Sequence, residues 1–332
     1  MKKNETAPAW GPSRLGAMGE LKVGVVGLGL LGSALAERLS NADFLVFGYD
    51  LRQECLEKLQ LSGGTPTDSA TEVFGKCSIV VLSLPNSSIV ADLIAQTQIP
   101  SGRVVVDTTT GDPEHALQHA RSMSQKEGQY VEANIAGSSA QARKGEAVVF
   151  LGADPSSKTA ADRAVDSTLP EASTFLDVNV VSVLDAISTR RVHVGPVGSA
   201  SKFKLVHNLI LGLHRAVLAE GLSFAHALGF DEQTALEILQ DTPAASAIMS
   251  TKGPKMVSGD FEPQATLSQH LKDVRLIVDL ARKHGVLAPL SDEHRQLLER
   301  AESLGWGAQD NSAVIQTYRG RQFDGGECDG GE

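Results

Sequence analysis

Residues 22–39, with the sequence KVGVVGLGLLGSALAERL, decide the fold of this chain of 332 residues. The β-branched run Lys22–Gly27 predicts a short strand, and the apolar spacing in Leu30–Leu39 predicts a helix directly after it. Their junction is a GxGxxG pattern, in which the first glycine permits a tight turn, the second lets the backbone approach a pyrophosphate, and the third allows close packing of helix on strand. Free N–H groups at the start of the helix attract phosphate. The predicted dinucleotide-binding residues are Gly27, Leu28, Gly29, Leu30, Leu31 and Gly32.

A carboxylate follows where such a site needs one. Asp50 ends the second predicted strand, Phe44–Asp50, about 20 residues after the glycines, where it can accept hydrogen bonds from the adenosine ribose. Because a carboxylate there repels a 2′-phosphate, the sequence favours NAD over NADP. Arg52 keeps NADP open, since a guanidinium two residues further on can hold that phosphate. The other interpretation of Arg52 is a solvated surface charge.

The same alternation of strand and helix continues through the first half of the chain. Short connections between such segments predict a mostly parallel, doubly wound α/β sheet of Rossmann type. The further predicted strands are Ser78–Leu84, Arg103–Thr108, Gln129–Ile135 and Glu146–Leu151, and the further predicted helices are Gln53–Leu61 and Asp112–Glu127.

The second half of the chain has a different pattern. After the turn Pro196–Gly198, a helical pattern runs from Ser199 to about Leu228, which at 1.5 Å per residue makes a helix about 45 Å long. The later segments with helical spacing predict an all-α second domain. The predicted organisation is a polar lead-in (1–21), a dinucleotide-binding domain (22–195, with 155–191 left unassigned), a helical domain (196–320) and a disordered acidic tail (321–332).

The composition excludes several classes of function. Thirty basic and forty acidic side chains give a net charge of −10, which argues against binding to nucleic acid or to an anionic membrane. The longest uncharged apolar stretch, Val23–Ala36, is too short to span a bilayer. Cys55, Cys77 and Cys328 have neither disulfide nor zinc spacing. We therefore expect a cytoplasmic protein without a metal site.

Five motifs in a fixed order carry a resemblance to a known family. The chain resembles the β-hydroxyacid dehydrogenases, which include 3-hydroxyisobutyrate dehydrogenase, tartronate semialdehyde reductase, L-threonate dehydrogenase and, more distantly, 6-phosphogluconate dehydrogenase. The resemblance implies a Rossmann-like N-terminal domain, a long interdomain helix and an all-α C-terminal domain. The motifs are GLGLLGSALAERL (Gly27–Leu39), DTTTGDP (Asp107–Pro113), EANIAGSSAQARKGE (Glu132–Glu146), GPVGSASKFKLVHN (Gly195–Asn208) and LKDVRL (Leu271–Leu276).

Lys204 is the candidate acid-base group. Oxidising an alcohol by hydride transfer requires a group that takes the hydroxyl proton and returns it in the reverse reaction. Lys204 lies on the predicted long helix, and Asn208, at i+4, shares its face. Such a pair alone is usually solvent-facing, but the flanking apolar residues predict burial, which lowers the pKa of a lysine. The resemblance implies that Lys204 is the acid-base and that Asn208 hydrogen-bonds the substrate.

The segment that holds the substrate carboxylate departs from the family pattern. Relatives have a serine followed by two glycines, where this chain has Ala136, Gly137 and Ser138. A hydroxyl is therefore missing at the first position and gained at the third, while backbone N–H groups can still form an anion nest. Either Ser138 or Ser139 takes over the missing contact, or the serine caps a helix.

The resemblance also assigns residues near the nicotinamide. Thr109 matches a position beside the substrate and Thr110 one beside the nicotinamide. Lys272 matches a lysine near the nicotinamide end, although a surface lysine beside Asp273 has the same pattern. The loop implied to lie over the cofactor comprises Leu84, Pro85 and Asn86.

The resemblance implies an NAD(P)-dependent β-hydroxyacid dehydrogenase or semialdehyde reductase, with a small anionic substrate and a homodimeric or homotetrameric assembly. An imine reductase remains open, although Lys204 counts against it. A sugar-acid oxidative decarboxylase is suggested by His207, which either contacts a sugar hydroxyl, tunes Lys204 or packs at the domain interface. A non-catalytic dinucleotide-binding scaffold is kept open by Ala136.

Overall fold

The computed structural model describes residues 21–154 and 176–319. Its N-terminal part alternates strands with helices through β8. The strands are β1 (Lys22–Val26), β2 (Leu45–Tyr49), β3 (Thr65–Pro66), β4 (Ile79–Leu82), β5 (Val104–Asp107), β6 (Gln129–Ala136), β7 (Val148–Gly152) and β8 (Arg190–Gly195). The helices among them are α1 (Leu30–Asn41), α2 (Gln53–Leu61), α3 (Ala70–Lys76), α4 (Ser87–Gln96), α5 (Pro113–Gln125), α6 (Ser139–Lys144) and α7 (Val178–Ile187).

The eight strands form one sheet in the order β3-β2-β1-β4-β5-β6-β7-β8. Every neighbouring pair is parallel except β6 and β7, which are antiparallel. Separate apolar clusters lie on the two faces of the sheet, beneath the flanking helices. This arrangement confirms the predicted Rossmann-like α/β class, and it places the loops after β1, β2, β4 and β5 along the carboxyl edge, where ligands of such sheets bind.

The C-terminal part is helical and is joined to the sheet by α8 (Ser199–Ala227), a helix of 29 residues and about 44 Å. It contacts β6, β7 and β8 near its start and packs on the remaining helices further along. A third apolar core lies among those helices. They are α9 (Glu232–Gln240), α10 (Ala247–Ser258), α11 (Leu267–Lys283), α12 (Pro289–Ser303), a 3₁₀ helix (Asn311–Ile315) and α13 (Gln316–Arg319).

Parts of the predicted organisation fall outside the described residues. They are nearly all of the lead-in 1–21, positions 155–175 of the unassigned stretch, and the acidic tail 321–332. The described part of that stretch contains α7 and the start of β8, neither of which the sequence pattern predicts. Within the two described ranges, no helix is long and apolar enough to cross a membrane.

Candidate functional site

The glycine loop after β1 has the shape of a phosphate cradle. Gly27 has φ +88°, and a Cβ at Gly27 or at Gly32 would overlap a backbone oxygen, so packing itself requires these two glycines. Gly29 differs, because among the described residues its Cβ would meet only the Arg52 guanidinium, at 3.5 Å. Gly29 also begins α1 without a side-chain cap. The N–H groups of the first turn of α1 therefore face open space that a pyrophosphate fits.

Asp50 is fixed against this loop. Its Oδ2 accepts a hydrogen bond from the Leu28 N–H at 2.7 Å. Its Oδ1 accepts from the N–H and Nε of Arg52 at 2.9 and 3.1 Å. Burial acts to raise the pKa of Asp50, but the bonds from Arg52 and Leu28 outweigh it and hold the pKa below its usual value. Arg52 is thus tied to the carboxylate, and the anionic side chain of Asp50 stands beside the glycine loop.

The loops after β4 and β5 are hydrogen-bonded to each other. The Leu84 N–H donates to Oγ1 of Thr109 at 3.1 Å, and the Thr109 N–H donates to Oδ1 of Asp107 at 2.8 Å. Asn86 accepts from the Ile89 N–H and so caps α4 with its side chain. Thr109 is buried, whereas Thr110 is half-buried. Thr110 is therefore the more exposed of the two threonines that the sequence assigns to the ligands.

Helix α11 reaches across to these loops from the helical part. Nζ of Lys272 donates to the Thr110 carbonyl, and Nε2 of Gln269 donates to the Pro85 carbonyl at 2.9 Å. These bonds bring Lys272 to the two loops that the sequence assigns to the cofactor. The nucleotide site and the helical part therefore border one cleft.

Lys204 lies in this cleft on the buried face of α8. Its residue surface is only 7% exposed, and its amine makes no hydrogen bond to any described residue. Burial lowers the pKa of Lys204 to about 8, with Lys272 acting in the same direction and Asp273 against it. With this pKa, about a tenth of the amines are neutral at pH 7. The group can therefore both take and return a proton near neutral pH.

Asn208 is held by a carboxylate that sequence reasoning did not select. Nδ2 of Asn208 donates to Oδ2 of Asp273 at 2.8 Å, and Nζ of Lys272 lies 3.0 Å from Oδ1 of the same carboxylate. Asp273 is buried and joins α11 to the face of α8 that carries Lys204. Its only sequence signal is its place beside Lys272 in the LKDVRL motif.

His207 packs between α8 and the sheet. Its ring meets the Phe150 ring edge-on at 5.7 Å, and its Nδ1 lies 3.1 Å from Oδ1 of Asn208. Burial and the nearby Lys204 lower the pKa of His207, against the effect of the Asn208 bond. These contacts favour the packing interpretation of this histidine over a substrate contact.

Ser138 is a helix cap, which is one of the two interpretations that the sequence left open. Its Oγ accepts from the Gln141 N–H at 3.2 Å, and its own N–H donates to Oε1 of Gln141 at 2.9 Å, so a capping box occupies both groups. The Ser139 hydroxyl donates to the Gln264 carbonyl. A carboxylate bound at this turn is therefore left with the backbone of Ala136 and Gly137.

Glu132 anchors the start of α8, and sequence reasoning did not select it. Its carboxylate accepts from the Gly198 N–H and, at 2.6 Å, from the Ser201 hydroxyl. The residue lies on β6 and is buried. These bonds fix the first turn of α8 on the sheet, one turn before Lys204. In residues 21–154 and 176–319, no cluster of His, Cys, Asp or Glu side chains could hold a metal ion.

Two family models match the chain in sequence order. Residues 22–168 match the model described as the NAD binding domain of 6-phosphogluconate dehydrogenase. Residues 198–318 match the model described as the NAD-binding of NADP-dependent 3-hydroxyisobutyrate dehydrogenase. The first range contains the glycine loop and Asp50, and the second contains Lys204, Asn208 and Lys272.

Individual proteins match nearly the whole chain. L-threonate dehydrogenase of Cupriavidus necator is 26% identical over 309 residues, which cover 91% of this chain and 98% of that protein. 2-(Hydroxymethyl)glutarate dehydrogenase of Eubacterium barkeri is 27% identical over 318 residues, with coverages of 94% and 99%. A 3-hydroxyisobutyrate dehydrogenase structure from Salmonella typhimurium has a TM-score of 0.78 at 23% identity, covering 90% of this chain and 99% of that one, and shows a shared fold.

Proposed function

The chain belongs to the β-hydroxyacid dehydrogenase family, and on that basis we propose that Lys204 is the acid-base group of an NAD(P)-dependent hydroxy-acid dehydrogenase. The reaction moves a hydride between the nicotinamide and the β-carbon alcohol or aldehyde of a small hydroxy acid. The observation that carries the proposal is the buried amine of Lys204, which has a pKa of about 8 and no hydrogen-bond partner among the described residues.

The cofactor site is proposed to follow the carboxyl edge of the sheet. The open first turn of α1 suits the pyrophosphate, and Asp50 suits the ribose. When bound, NAD(P) accepts the hydride in oxidation and supplies it in reduction. The residues proposed to hold it are Gly27, Leu28, Gly29, Leu30, Leu31, Gly32, Asp50, Leu84, Pro85, Asn86, Thr110 and Lys272.

The residues of the cleft divide the remaining work. In oxidation, neutral Lys204 accepts the hydroxyl proton at Nζ, and in reduction the ammonium form returns it to the carbonyl oxygen. Asn208, oriented by Asp273, directs its second amide hydrogen to the substrate oxygen. The Ala136 and Gly137 backbone, with the positive charge of Lys272, attracts the carboxylate. A small anionic substrate fits this set of groups.

Activity against a small panel of acids tests the proposal. NADH and NADPH are followed at 340 nm with 3-hydroxyisobutyrate, glycerate, threonate, 6-phosphogluconate, tartronate semialdehyde, succinic semialdehyde and a cyclic imine. We expect turnover of a hydroxy acid or semialdehyde that Lys204→Ala abolishes while cofactor binding persists. Lys202→Ala, an exposed lysine on the same helix, is the matched control. Cofactor binding without turnover of any acid would support the scaffold, and turnover of the imine alone an imine reductase.

We propose NAD as the preferred cofactor because Asp50 presents a carboxylate to the ribose and already occupies Arg52. Asp50→Asn is expected to raise KM for NAD by about tenfold, which is the scale of one hydrogen bond to a charged group. The difference between KM for NADP and KM for NAD is expected to become smaller. Glu54→Gln, an exposed acidic side chain in the first turn of α2, is the control. A wild-type preference for NADP would contradict this assignment.

We propose a homodimer or homotetramer assembled through α8, and a cytoplasmic location. The exposed side of α8 carries Val206, Ile210, Val217 and Phe224, each about half to two-thirds exposed, at the spacing of one helix face. Apolar stripes of this kind mark association surfaces. The buried free thiols of Cys55 and Cys77 suit a reducing compartment. Light scattering is expected to give a multiple of 35.0 kDa, and Phe224→Asp is expected to give the monomer.

A further inference from the structure

Three nitrogen-bearing side chains meet inside the helical part, beyond the site described above. Arg215 on α8, His270 on α11 and His294 on α12 are all buried, and Arg215 is 2% exposed. The two imidazole rings lie 5.2 Å apart, centroid to centroid. Gly212 admits them, since a Cβ there would lie 2.6 Å from Nε2 of His270 and 2.8 Å from Cε1 of His294. The glycine thus brings two imidazoles against the backbone of α8.

This cluster continues the face that carries the proposed catalytic pair. Asn208 on α8 donates a hydrogen bond to Asp273 on α11. Gly212 lies one turn after Asn208 on α8, and it packs against His270, which lies one turn before Asp273 on α11. The two helices therefore run antiparallel here, and the two contacts lie one helical turn apart. Arg215, at i+7 from Asn208, lies on the same face of α8.

The cluster contains buried nitrogens without a hydrogen-bond partner among the described residues. They are Nε and Nη1 of Arg215, Nε2 of His270 and Nε2 of His294. Buried polar groups in folded proteins are nearly always hydrogen-bonded, so four unpartnered nitrogens in one place call for a partner. The two nitrogens of Arg215 can only donate, and that partner must therefore be an acceptor.

The carboxylate that acts on Arg215 is already occupied. Asp310 exerts an attraction on the guanidinium, but both of its oxygens accept from Nζ of Lys252, at 2.9 and 2.8 Å. Asp310 also accepts from the Ser312 hydroxyl and the Gln264 N–H. Among the described residues, the positive charge of Arg215 therefore has no directly bonded counter-charge.

The protonation states suit an anion. Burial lowers the pKa of Arg215 to about 10, against the effect of Asp310, so the guanidinium stays charged at neutral pH. Burial and Arg215 lower the pKa of His294 to about 3, and burial with the surrounding cations lowers that of His270 as well. Each neutral imidazole still offers one N–H donor.

We propose that Arg215, His270 and His294 form a second anion site, which takes a carboxylate or a similarly small anion one helical turn beyond the Asn208–Asp273 pair. The anion has two possible sources: a free ion from solution, or a second carboxylate on the substrate. The substrate source rests on the proposed dehydrogenase function, whereas the free-ion source does not.

Anion titration of the purified protein tests the site without any catalysis. Sodium acetate replaces sodium fluoride at constant ionic strength, and Tm is followed by fluorimetry. A saturable rise of about 2 °C at ten times Kd is expected for wild type. Arg215→Met, which keeps the side-chain length, is expected to lose it, and Arg295→Met, a partly exposed arginine paired on α12, to keep it. No saturable rise in wild type, or a rise that survives in Arg215→Met, overturns the proposal.

If Arg215→Met does not fold, crystals of the wild-type protein test the anion site instead. Wild-type crystals soaked in bromide are expected to show an anomalous peak within about 3.5 Å of the Arg215 guanidinium, the contact distance of a bound ion. Density that refines as water, with no bromide peak between the three side chains, overturns the proposal.

Kinetics then separate the two sources. The probes are a β-hydroxy acid with a second carboxylate and the same acid with that carboxylate as an amide. If the substrate supplies the anion, Arg215→Met raises KM for the diacid about 10- to 100-fold and leaves KM for the amide and kcat unchanged, as expected for a charge-assisted bond. If a free ion fills the site, both values of KM respond equally. The site stands with either source if the titration is positive, and absence of turnover affects only the proposed function.

Discussion

Lys204 and Lys252 are both buried in the helical part, yet they differ in what surrounds the amine. Lys252, on α10, donates to both oxygens of Asp310. Lys204 has no hydrogen-bond partner among the described residues. Burial lowers the pKa of both, and Asp310 opposes that effect at Lys252 through direct bonds. A buried amine that is matched stabilises the fold, whereas one that is left free is available to a substrate.

Replacing Lys204 should produce the largest loss of kcat without a loss of stability. Lys204→Met is expected to lower kcat by about 10²- to 10⁴-fold, the usual contribution of a general acid-base group. Its free energy of unfolding should stay equal or rise by up to about 1 kcal/mol, because an unpaired buried amine is removed. Steady-state kinetics and urea unfolding measure the two quantities. A large loss of stability would contradict the distinction between the two lysines.

Replacing Lys252 should have the opposite outcome. Lys252→Met leaves the buried carboxylate of Asp310 without its cation, which is expected to lower the free energy of unfolding by about 3–5 kcal/mol. The kcat of the folded enzyme should stay within about twofold, since neither Lys252 nor Asp310 bonds Lys204, Asn208 or Asp273. Lys255→Met, one turn later on α10, removes a 3.7 Å ion pair with the exposed carboxylate of Asp260 and should cost less than about 1 kcal/mol. Equal free energies of unfolding for the Lys252 and Lys255 variants would contradict a stabilising role of the buried Lys252–Asp310 pair.

Replacing either of two charged neighbours of Lys204 should shift the midpoint of the pH–rate profile, and the two shifts should have opposite signs. Lys272 lowers the pKa of Lys204 and Asp273 raises it. Lys272→Met is therefore expected to move the midpoint of the pH–rate profile for oxidation upward, and Asp273→Asn to move it downward. Arg275→Met, an exposed residue on the same helix, serves as the control without a shift. Shifts in the same direction would show that the profile reports a group other than Lys204.

Features carried by contiguous residues could be predicted from the sequence. The strand, glycine turn and helix of residues 22–39 depend on neighbours along the chain, as does the cap of α5 by Asp112. Helix α10 is not predicted from the sequence, because it contains Gly253 and Pro254, two residues that usually interrupt helices. Helix α7 escaped because its run of β-branched residues is equally typical of a strand.

Pairings between distant segments could not be predicted. Asp273 meets Asn208 only because α11 packs on α8, 65 positions further along the chain. Arg215, His270 and His294 lie on three helices, and nothing in their local sequence marks them as neighbours. Sequence periodicity indicates that a face is buried, but the identity of the opposite face is a property of the tertiary packing.

The pH dependence of oxidation by the wild-type enzyme is the sharpest test of Lys204 as the acid-base group. With a pKa of about 8, Lys204 is mostly protonated below that pH and cannot accept the hydroxyl proton. We expect kcat for oxidation to rise about tenfold per pH unit up to a plateau above pH 8, and kcat for reduction to fall above that pH. An oxidation rate that does not change between pH 6 and pH 9, measured with chemistry rate-limiting, would contradict the assignment of Lys204 as the acid-base group.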